Sequence, residues 1–364
     1  MKQTANNKIE ILAYPVYIGS ELWHEIDIFI QPFLKSGGIY LLTDYNTQNY
    51  CQPVLTDNLP ELARQPSFSI PPGEQSKDIS SLESVWNWLT EAGATRDSLL
   101  INLGGGVVTD LGGLAAATFK RGISYINIPT SLTGQVDAGV GGKVGINISG
   151  IKNQAGLFCN PKAVFILPAL LETLPPIHLR SGFAEIIKCA ALSGYGFWEL
   201  LKNERVKEQD HLIDLIIETV NFKCRIVAED PFDESTRKML NFGHTVGHAL
   251  ESFSNVPGRV EMLHGEAIAA GMICEAYLSY ETAGLPKYEL EMISTLINTF
   301  FNLKPLENRY FDHLIKMMNH DKKKTINGLG FSLLECLGKP CPGRSVDRVN
   351  LIRSFEYFNQ VIQR

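Results

Sequence analysis

The chain has 364 residues, of which 45% are hydrophobic and 20% are charged, and its formal net charge is -6. This length exceeds what one ordinary hydrophobic core accommodates, so we expect two domains. The net negative charge excludes a broad basic surface of the kind that binds nucleic acid or an anionic membrane. Any anionic ligand must therefore be bound by local basic residues, and we expect that ligand to be small.

The N-terminal segment lacks the apolar core of a signal peptide, and no run reaches the roughly eighteen apolar residues of a membrane span. Seven cysteines are scattered along the chain without a CxxC pair. That pattern argues against a disulfide framework or a thiolate zinc site. We therefore expect a cytoplasmic protein with reduced thiols.

Short β-rich runs alternate with helical segments through the first half of the chain. Predicted strands cover residues 37–44, 67–70, 98–106, 124–129 and 163–167, and predicted helices cover 78–92 and 107–119. This alternation is typical of a mostly parallel sheet covered by helices, which is a nucleotide-binding architecture. Beyond Leu174, long amphipathic runs replace the strand signals. The sequence thus predicts a Rossmann-like α/β domain over 1–174 and an all-α domain over 175–364.

Three glycines, Gly104 to Gly106, separate a predicted strand from a helix. Such a turn presents bare backbone amides at a positive helix end, where a pyrophosphate can bind. It is not the GxGxxG fingerprint, and a glycine turn for tight packing is the alternative. Asp44, Glu74 and Lys77 follow earlier strands and favour dinucleotide binding, since an acidic side chain can bind a ribose. In a standard Rossmann unit, however, the acidic residue follows the glycines.

A second glycine-rich stretch, residues 128–153, contains Asp137, Lys143, Lys152 and Asn153. It cannot build much core, and lysines on glycine loops can approach a phosphate closely. The stretch therefore predicts a phosphate-binding loop, with a surface loop of solvated lysines as the alternative.

Two histidines lie four residues apart in NFGHTVGHALE, residues 241–251. His244 and His248 should therefore share one helix face, as paired zinc ligands do. A zinc-protease site needs a glutamate directly after the first histidine, and Thr245 stands there instead. Spacing alone leaves open whether the pair binds a metal or packs in the core.

Arg237, Asn241, His244 and His248 recur at helical spacing and predict one continuous polar stripe along a helix. Burying four unpartnered polar side chains is costly, so the wall of an active site explains the stripe better than a core does.

Glu185 and Lys188 lie three residues apart in GFAEIIK, where an intrahelical ion pair is the simplest interpretation. Together with His244 and either His264 or His248, Glu185 would form a ligand set that suits zinc with open positions.

Six motifs together resemble the 3-dehydroquinate synthase family, which belongs to the sugar phosphate cyclase group and has a glycerol dehydrogenase-like fold. They are GGGVVTDLGG, FKRG, VDAGVGGKVGIN, GFAEIIK, NFGHTVGHALE and LHGEA, and the similarity covers nearly the whole chain. The resemblance implies that Glu185, His244 and His264 hold a catalytic zinc, with cobalt as the alternative. It implies that His248 instead faces the substrate and handles a proton. The chain departs from the family's common residues at Ser131, Ala138, Gly139, Val144 and Phe242.

The resemblance also implies which residues bind the cofactor and the substrate. NAD would contact Asp44, Glu74, Lys77, Gly105, Gly106, Asp110, Thr130, Ser131, Lys143, Lys152, Asn153 and Thr173. The substrate would contact Asp137, Lys143, Lys188, Lys223, Arg237, Asn241, His248 and one lysine of the DKK run, Lys322 or Lys323. Arg121, in FKRG, resembles the family arginine that reaches the neighbouring subunit's phosphate site, which implies a homodimer.

The implied reaction converts 3-deoxy-D-arabino-heptulosonate 7-phosphate to 3-dehydroquinate and phosphate, a lyase step of the shikimate pathway to aromatic amino acids. It combines transient oxidation by NAD, phosphate elimination, reduction and intramolecular aldol cyclisation, so NAD is regenerated. Another sugar phosphate cyclase and a metal-dependent polyol dehydrogenase of the same fold are the alternatives. The dehydrogenase would have little use for Lys143, Lys223 and Arg237 together. A non-catalytic phosphosugar-binding module would lack a zinc ligand or Lys188.

Overall fold

The computed structural model describes residues 6–149, 151–201, 209–254, 262–320, 324–325 and 328–363. The chain forms two compact units: Met1–Leu179 with Lys223–Phe232, and Arg180–Phe222 with Asp233–Arg364. The sequence shows no sign that Lys223–Phe232 groups with the first unit, because those residues continue an unbroken helical pattern. The division at 174/175 stays a prediction about domains.

The described residues of the first unit form nine strands. They are β1 Asn7–Ile9, β2 Val16–Ile18, β3 Ile39–Asp44, β4 Ser67–Ile70, β5 Leu99–Gly104, β6 Ser124–Pro129, β7 Lys143–Ile148, β8 Ile151–Phe158 and β9 Ala163–Ile166. Seven form a sheet of order β1-β2-β9-β6-β5-β3-β4, and β7 pairs only with β8. The β1–β2 pair is antiparallel and the other pairs of the large sheet are parallel. The predicted mostly parallel sheet is confirmed.

Helices cover both faces of this sheet. They are α1 Trp23–Lys35, α2 Tyr45–Tyr50, α3 Gln52–Asn58, α4 Ile79–Glu91 and α5 Gly106–Thr118. Side chains alternate between the two faces: Ile39 and Leu41 pack in a core with α1 and α3, whereas Tyr40 and Leu42 pack in a core with α4 and α5. Because the central strands are buried on both faces, their sequences are almost continuously apolar.

The order of the strands creates a switch point between β3 and β5. From β3 the chain moves outward to β4, then returns to the opposite side of β3 to form β5. In open α/β sheets, ligands bind beyond the carboxyl ends of the strands at such a point. Asp44 ends β3 and Gly104 ends β5, so Asp44 and the glycine turn that were predicted to bind NAD lie at this edge.

The second unit is mainly helical. Its helices are α6 Pro176–Ser193, α7 Tyr195–Leu201, α8 Gln209–Glu229, α9 His244–Ser254, α10 His264–Thr282, α11 Lys287–Phe300, α12 Phe311–His320 and α13 Arg348–Ile362, where α6 begins and α8 ends in the first unit. In the described ranges no helix has the length and apolar character needed to cross a membrane.

The expectation of an all-α C-terminal domain needs correction. Strands β10 Lys324–Thr325, β11 Gly328–Cys336 and β12 Lys339–Ser345 form a small antiparallel sheet. Gly338, with φ of 83°, allows the tight turn between β11 and β12. Phe331, Leu333 and Leu334 of β11 are completely buried, so the strand contributes to the core of this unit.

Helices α9 and α10 cross at backbone contact. A Cβ added to Gly271 would lie 2.0 Å from the carbonyl oxygen of Gly243 and 2.8 Å from the amide nitrogen of Gly247. Near the start of α10, a Cβ on Gly265 would lie 2.0 Å from the carbonyl oxygen of Ser181 on α6. Glycine at these positions therefore sets how closely the three helices approach one another.

The predicted continuous helix through Arg237, Asn241, His244 and His248 is wrong. Thr236–Asn241 is a 3-10 helix, and α9 begins only at His244. Gly243 has φ of 81°, a left-handed conformation that interrupts the helix. The completely buried carboxylate of Glu275 accepts hydrogen bonds from the N–H groups of Gly243 (2.8 Å) and Val246 (3.1 Å), which fixes the start of α9.

We expect Gly271→Ala to lower the free energy of unfolding by about 3 kcal/mol, because the added methyl group forces α9 and α10 apart. Urea denaturation followed by circular dichroism measures the change. Gly196→Ala is the matched control: nothing lies within 4 Å of its Cβ position in α7, so stability should rise by about 0.5–1 kcal/mol. A Gly271→Ala protein as stable as wild type would contradict the close crossing.

Candidate functional site

Three potential metal ligands converge in the second unit. Glu185 lies in the middle of α6, and His244 and His264 are the first residues of α9 and α10. One ligand atom from each side chain lies within 4.8 Å of the other two. The predicted convergence of a carboxylate and two imidazoles from separate helices is confirmed.

The distances suit a shared cation better than direct hydrogen bonds. The Nε2 atoms of His244 and His264 lie 3.6 Å and 3.7 Å from Oε1 of Glu185. Zinc bonds of about 2.1 Å in tetrahedral geometry separate two ligand atoms by about 3.4 Å. The donor set, one carboxylate and two imidazoles, is also one that zinc accepts at catalytic sites.

Hydrogen bonds orient both imidazoles toward Glu185. The Nδ1 of His244 donates to the carbonyl oxygen of Phe242 (3.2 Å), and the Nδ1 of His264 donates to Oε2 of the buried Glu251 (3.2 Å). The hydrogen on each Nδ1 leaves the Nε2 lone pair available for a cation.

Electrostatics also favour positive charge at this position. Burial alone would lower the pKa of His264, but the neighbouring carboxylates of Glu185 and Glu251 outweigh it and raise the pKa to about 9. A metal ion would neutralise the same two carboxylates that here favour the protonated ring of His264.

The predicted intrahelical pair is present, because the Nζ of Lys188 contacts Oε2 of Glu185. Both side chains are buried, and buried charges persist only where they are paired. Lys188 therefore brings a cation directly beside the three candidate ligands.

His248 lies one turn along α9 from His244. Its ring centroid is 5.2 Å from that of His244 and 6.1 Å from that of His264, and the ring is half-buried. It is not one of the three converging ligand residues. Of the other predicted substrate residues, Arg237 is buried, and Asn241 donates to the carbonyl oxygen of Lys238 (3.1 Å). Lys322 and Lys323 lie outside the described residues.

In the first unit, the glycine turn forms the N-terminus of α5. Gly105 precedes the helix, and a Cβ at this position would lie 3.1 Å from Oγ of Ser131. A Cβ on Gly106 would lie 3.0 Å from Cβ of Ala138, so side chains would narrow the space around the turn. The Ser131 hydroxyl accepts from the N–H of Gly134 (3.1 Å), which orders the loop after β6. The arrangement gives a phosphate access to backbone amides at a helix N-terminus.

Asp44 has a structural role that the sequence analysis missed. Its Oδ1 accepts from the N–H groups of Asn46 and Thr47, each at 2.9 Å, and so caps α2. The spacing of Asp44 and Thr47 could have revealed this, since Asp followed three residues later by a hydroxyl is a helix-start pattern.

Five residues from three segments form one polar cluster, which we call the Lys77 cluster: Glu74, Lys77, Asp110, Lys152 and Asn153. The Nζ of Lys77 donates to Oδ2 of Asp110 and to Oδ1 of Asn153, both at 2.5 Å. The Nζ of Lys152 lies 3.7 Å from Oε1 of Glu74. Burial raises the pKa of Asp110, and Lys77 offsets part of this effect. All five residues are among those predicted to contact NAD.

Other predicted residues of the first unit make contacts outside the Lys77 cluster. Lys223, near the end of α8, donates to the backbone carbonyl of Asp137 (2.5 Å) and contacts the carboxylate of Asp137. The hydroxyls of Thr130 and Thr173 both interact with the thiol of Cys51, whose pKa burial raises to about 11.

Lys143 is exposed at the start of β7, whereas Lys152 is half-buried and lies near Glu74. The alternative of solvated lysines in the stretch 128–153 therefore describes Lys143 but not Lys152. Val144, which departs from the family's common residue, is buried against Gly113 and serves packing.

Solved structures show which fold the chain shares. A 2-deoxy-scyllo-inosose synthase, solved with carbaglucose-6-phosphate, NAD+ and Co2+, gives a TM-score of 0.80 at 21% identity, covering 96% of this chain and 99% of the other. A 2-epi-5-epi-valiolone synthase from Streptomyces hygroscopicus, solved with NAD+ and Zn2+, gives 0.79 at 22% identity, covering 97% and 99%. At these identities the likeness establishes the fold alone.

Sequence comparisons show the family. The family model described as 3-dehydroquinate synthase N-terminal matches residues 67–181, and the one described as 3-dehydroquinate synthase C-terminal matches residues 182–324. A 3-dehydroquinate synthase from Parabacteroides distasonis is 39% identical over 347 residues, covering 95% of this chain and 98% of the relative. On this evidence the chain belongs to the 3-dehydroquinate synthase family.

Proposed function

We propose that the chain converts 3-deoxy-D-arabino-heptulosonate 7-phosphate to 3-dehydroquinate and phosphate, with NAD and zinc as cofactors. The observation that carries this proposal is the convergence of Glu185, His244 and His264, with Lys188 beside them, in a chain of this family. Its 39% identity to a 3-dehydroquinate synthase favours this activity over those of the structural neighbours, which are 21% and 22% identical.

Two sets of residues would bind the two cofactors. Glu185, His244 and His264 would hold the metal, and the Lys77 cluster would bind NAD together with Asp44, Gly105, Gly106, Thr130, Ser131, Lys143 and Thr173. When bound, the metal polarises the substrate hydroxyl at C5, and NAD takes up and later returns a hydride. The structural neighbours solved with NAD+ and a divalent metal support this assignment.

His248 is the proposed acid and base for the proton of the C5 hydroxyl. Its ring lies beside the two candidate ligand imidazoles but is not one of the three converging ligands. It can therefore take up and return a proton close to a hydroxyl held at the metal.

Cationic side chains would hold the two anionic groups of the substrate, with Asp137 and Asn241 as polar neighbours. The proposed cations are Lys143, Lys188, Lys223, Arg237 and either Lys322 or Lys323. A carboxylate and a phosphate on one small molecule require several such groups, and Arg237 can bind either anion with two parallel hydrogen bonds. The pairing of Lys223 with Asp137 orients the buried side chain of that lysine.

A homodimer completes the proposal, with Arg121 reaching the partner's phosphate site. Arg121 is exposed, and it follows Lys120 in a turn where both residues have positive φ, 49° and 70°. Such backbone strain is characteristic of functional positions and supports a role for the exposed guanidinium. A cytoplasmic location is proposed because all seven cysteines, which lie in the described ranges, are free thiols.

Purified protein incubated with the heptulosonate phosphate, NAD and zinc should release stoichiometric phosphate without accumulating NADH. The hydride is returned within each turnover, so absorbance at the wavelength of reduced cofactor should stay near baseline. Steady NADH production without phosphate would indicate a polyol dehydrogenase instead. Phosphate release from another sugar phosphate, but not from the heptulosonate, would indicate a different cyclase.

His248→Ala should lower kcat by about a hundredfold or more while leaving the zinc content unchanged, because the variant removes only the proton-handling group. Metal analysis and steady-state kinetics measure the two effects. His244→Ala is the comparison variant and should lose zinc as well as activity. Loss of zinc from His248→Ala would show that His248 is a ligand.

Glu251→Gln should raise the Kd for zinc by about 10–100-fold, because the negative partner of the His264 ring is lost while its size is kept. Competition with a chromophoric chelator measures this Kd. Glu281→Gln, an exposed site on α10, removes the same charge away from the ligands and should leave the Kd unchanged. Equal zinc affinity in the Glu251→Gln protein would mean that this hydrogen bond does not matter to the ion.

A further inference from the structure

The β7–β8 pair is irregular at one position. Between two flanking pairs, a single β7 residue, Asn147, faces three residues of β8, 152–154. The flanking pairs are Ile146 with Ala155 and Ile148 with Ile151. Bulges of this kind re-aim side chains and are common beside active sites. Here the bulge carries Lys152 and Asn153, two members of the Lys77 cluster.

Asn147 connects this bulge to the rest of the cluster through hydrogen bonds of its side chain and its backbone. Its Nδ2 donates to Oε1 of Glu74 (2.8 Å), and its Oδ1 accepts from the N–H of Asn153 (2.9 Å). Its own backbone N–H donates to the carbonyl oxygen of Lys77 (2.7 Å). One half-buried residue thus holds members of the cluster that come from the loop after β4 and from β8.

The hydrogen bond to Asn153 matters because that residue has φ of 49°. Left-handed backbone is unfavourable for residues other than glycine, although asparagine tolerates it better than most. The bond from its N–H to Asn147 stabilises this conformation, in which Oδ1 of Asn153 lies 2.5 Å from Nζ of Lys77. Asn147 therefore helps to determine where Asn153 and Lys77 meet.

We infer that Asn147 is a positioning residue for the NAD site, acting through Glu74, Lys77 and Asn153. The inference rests on the proposed function, which assigns NAD to the Lys77 cluster. An amide suits the position, since it donates to the Glu74 carboxylate and accepts from the Asn153 N–H. Alanine provides neither group, and aspartate would place a like charge opposite Glu74.

Asn147→Ala should raise the Kd for NAD about tenfold or more, since two hydrogen bonds that orient the cluster are lost, one of them to a charged group. The Kd is measured by quenching of intrinsic fluorescence in the full-length, zinc-loaded protein. The Kd for zinc should stay within about twofold of wild type, because the metal residues belong to the other unit. Ile148→Ala, an exposed position on the same strand, should leave the Kd for NAD unchanged.

Asn147→Asp provides a second test that does not change the size of the side chain. It should weaken NAD binding at least as much as Asn147→Ala, because it replaces a donor to Glu74 with a repulsive charge. If the alanine variant does not fold, the aspartate variant decides the question. Wild-type NAD affinity in either folded variant would overturn the inference.

A double-mutant cycle with Asn153 distinguishes a positioning role of Asn147 from general damage to the fold. In an Asn153→Ala background, Asn147→Ala should raise the Kd for NAD much less than it does in wild type, because the two residues act together. If the two substitutions instead raise the Kd for NAD by factors that multiply, Asn147 acts independently of Asn153 and the inference is overturned. If the wild-type chain does not bind NAD, the proposed function is overturned as well. If the wild-type chain binds NAD and the variants bind it equally well, only the positioning role is overturned.

Discussion

The buried carboxylate of Glu185 is the constraint on which the second unit depends. A negative charge withdrawn from water is costly unless it is paired, and here Lys188 contacts the carboxylate while the Nε2 atoms of His244 and His264 face it. Three helices must approach closely to bring these groups together. The backbone contacts at Gly265 and Gly271 permit that approach. The close packing of these helices and the assembly of the site therefore depend on the same glycines in this unit.

Much of the fold could be predicted from the sequence. Apolar β-rich runs identified five of the six strands that pair in parallel, with ends shifted by no more than two residues, because strands buried on both faces leave a strong local signal. The three-residue strand β2 was not predicted. The convergence of Glu185, His244 and His264 was expected only through the motifs of a family, since spacing along the chain left the ligand set open. Residues far apart in sequence meet by tertiary packing, which local patterns do not encode.

The remaining features depend on contacts that local patterns cannot reveal. The break at Gly243 interrupts a perfect helical spacing because a distant carboxylate, Glu275, binds the amides that follow. The β7–β8 hairpin lies in a glycine-rich stretch that was expected to be a loop, and its bulge at Asn147 is defined by partners from another segment. In each case a long-range hydrogen bond decides a backbone conformation that the residue types alone leave undetermined.

The anchored rings of His244 and His264 have a consequence for metal choice. Each Nδ1 is bonded to a protein acceptor, which turns the Nε2 atom of that ring toward Glu185. One oxygen and two nitrogen donors accept several first-row divalent ions, whose affinities for a given site generally follow the Irving–Williams order, with zinc below copper. Affinity alone therefore does not select zinc, and the supply of free metal in the cell contributes to which ion the protein binds.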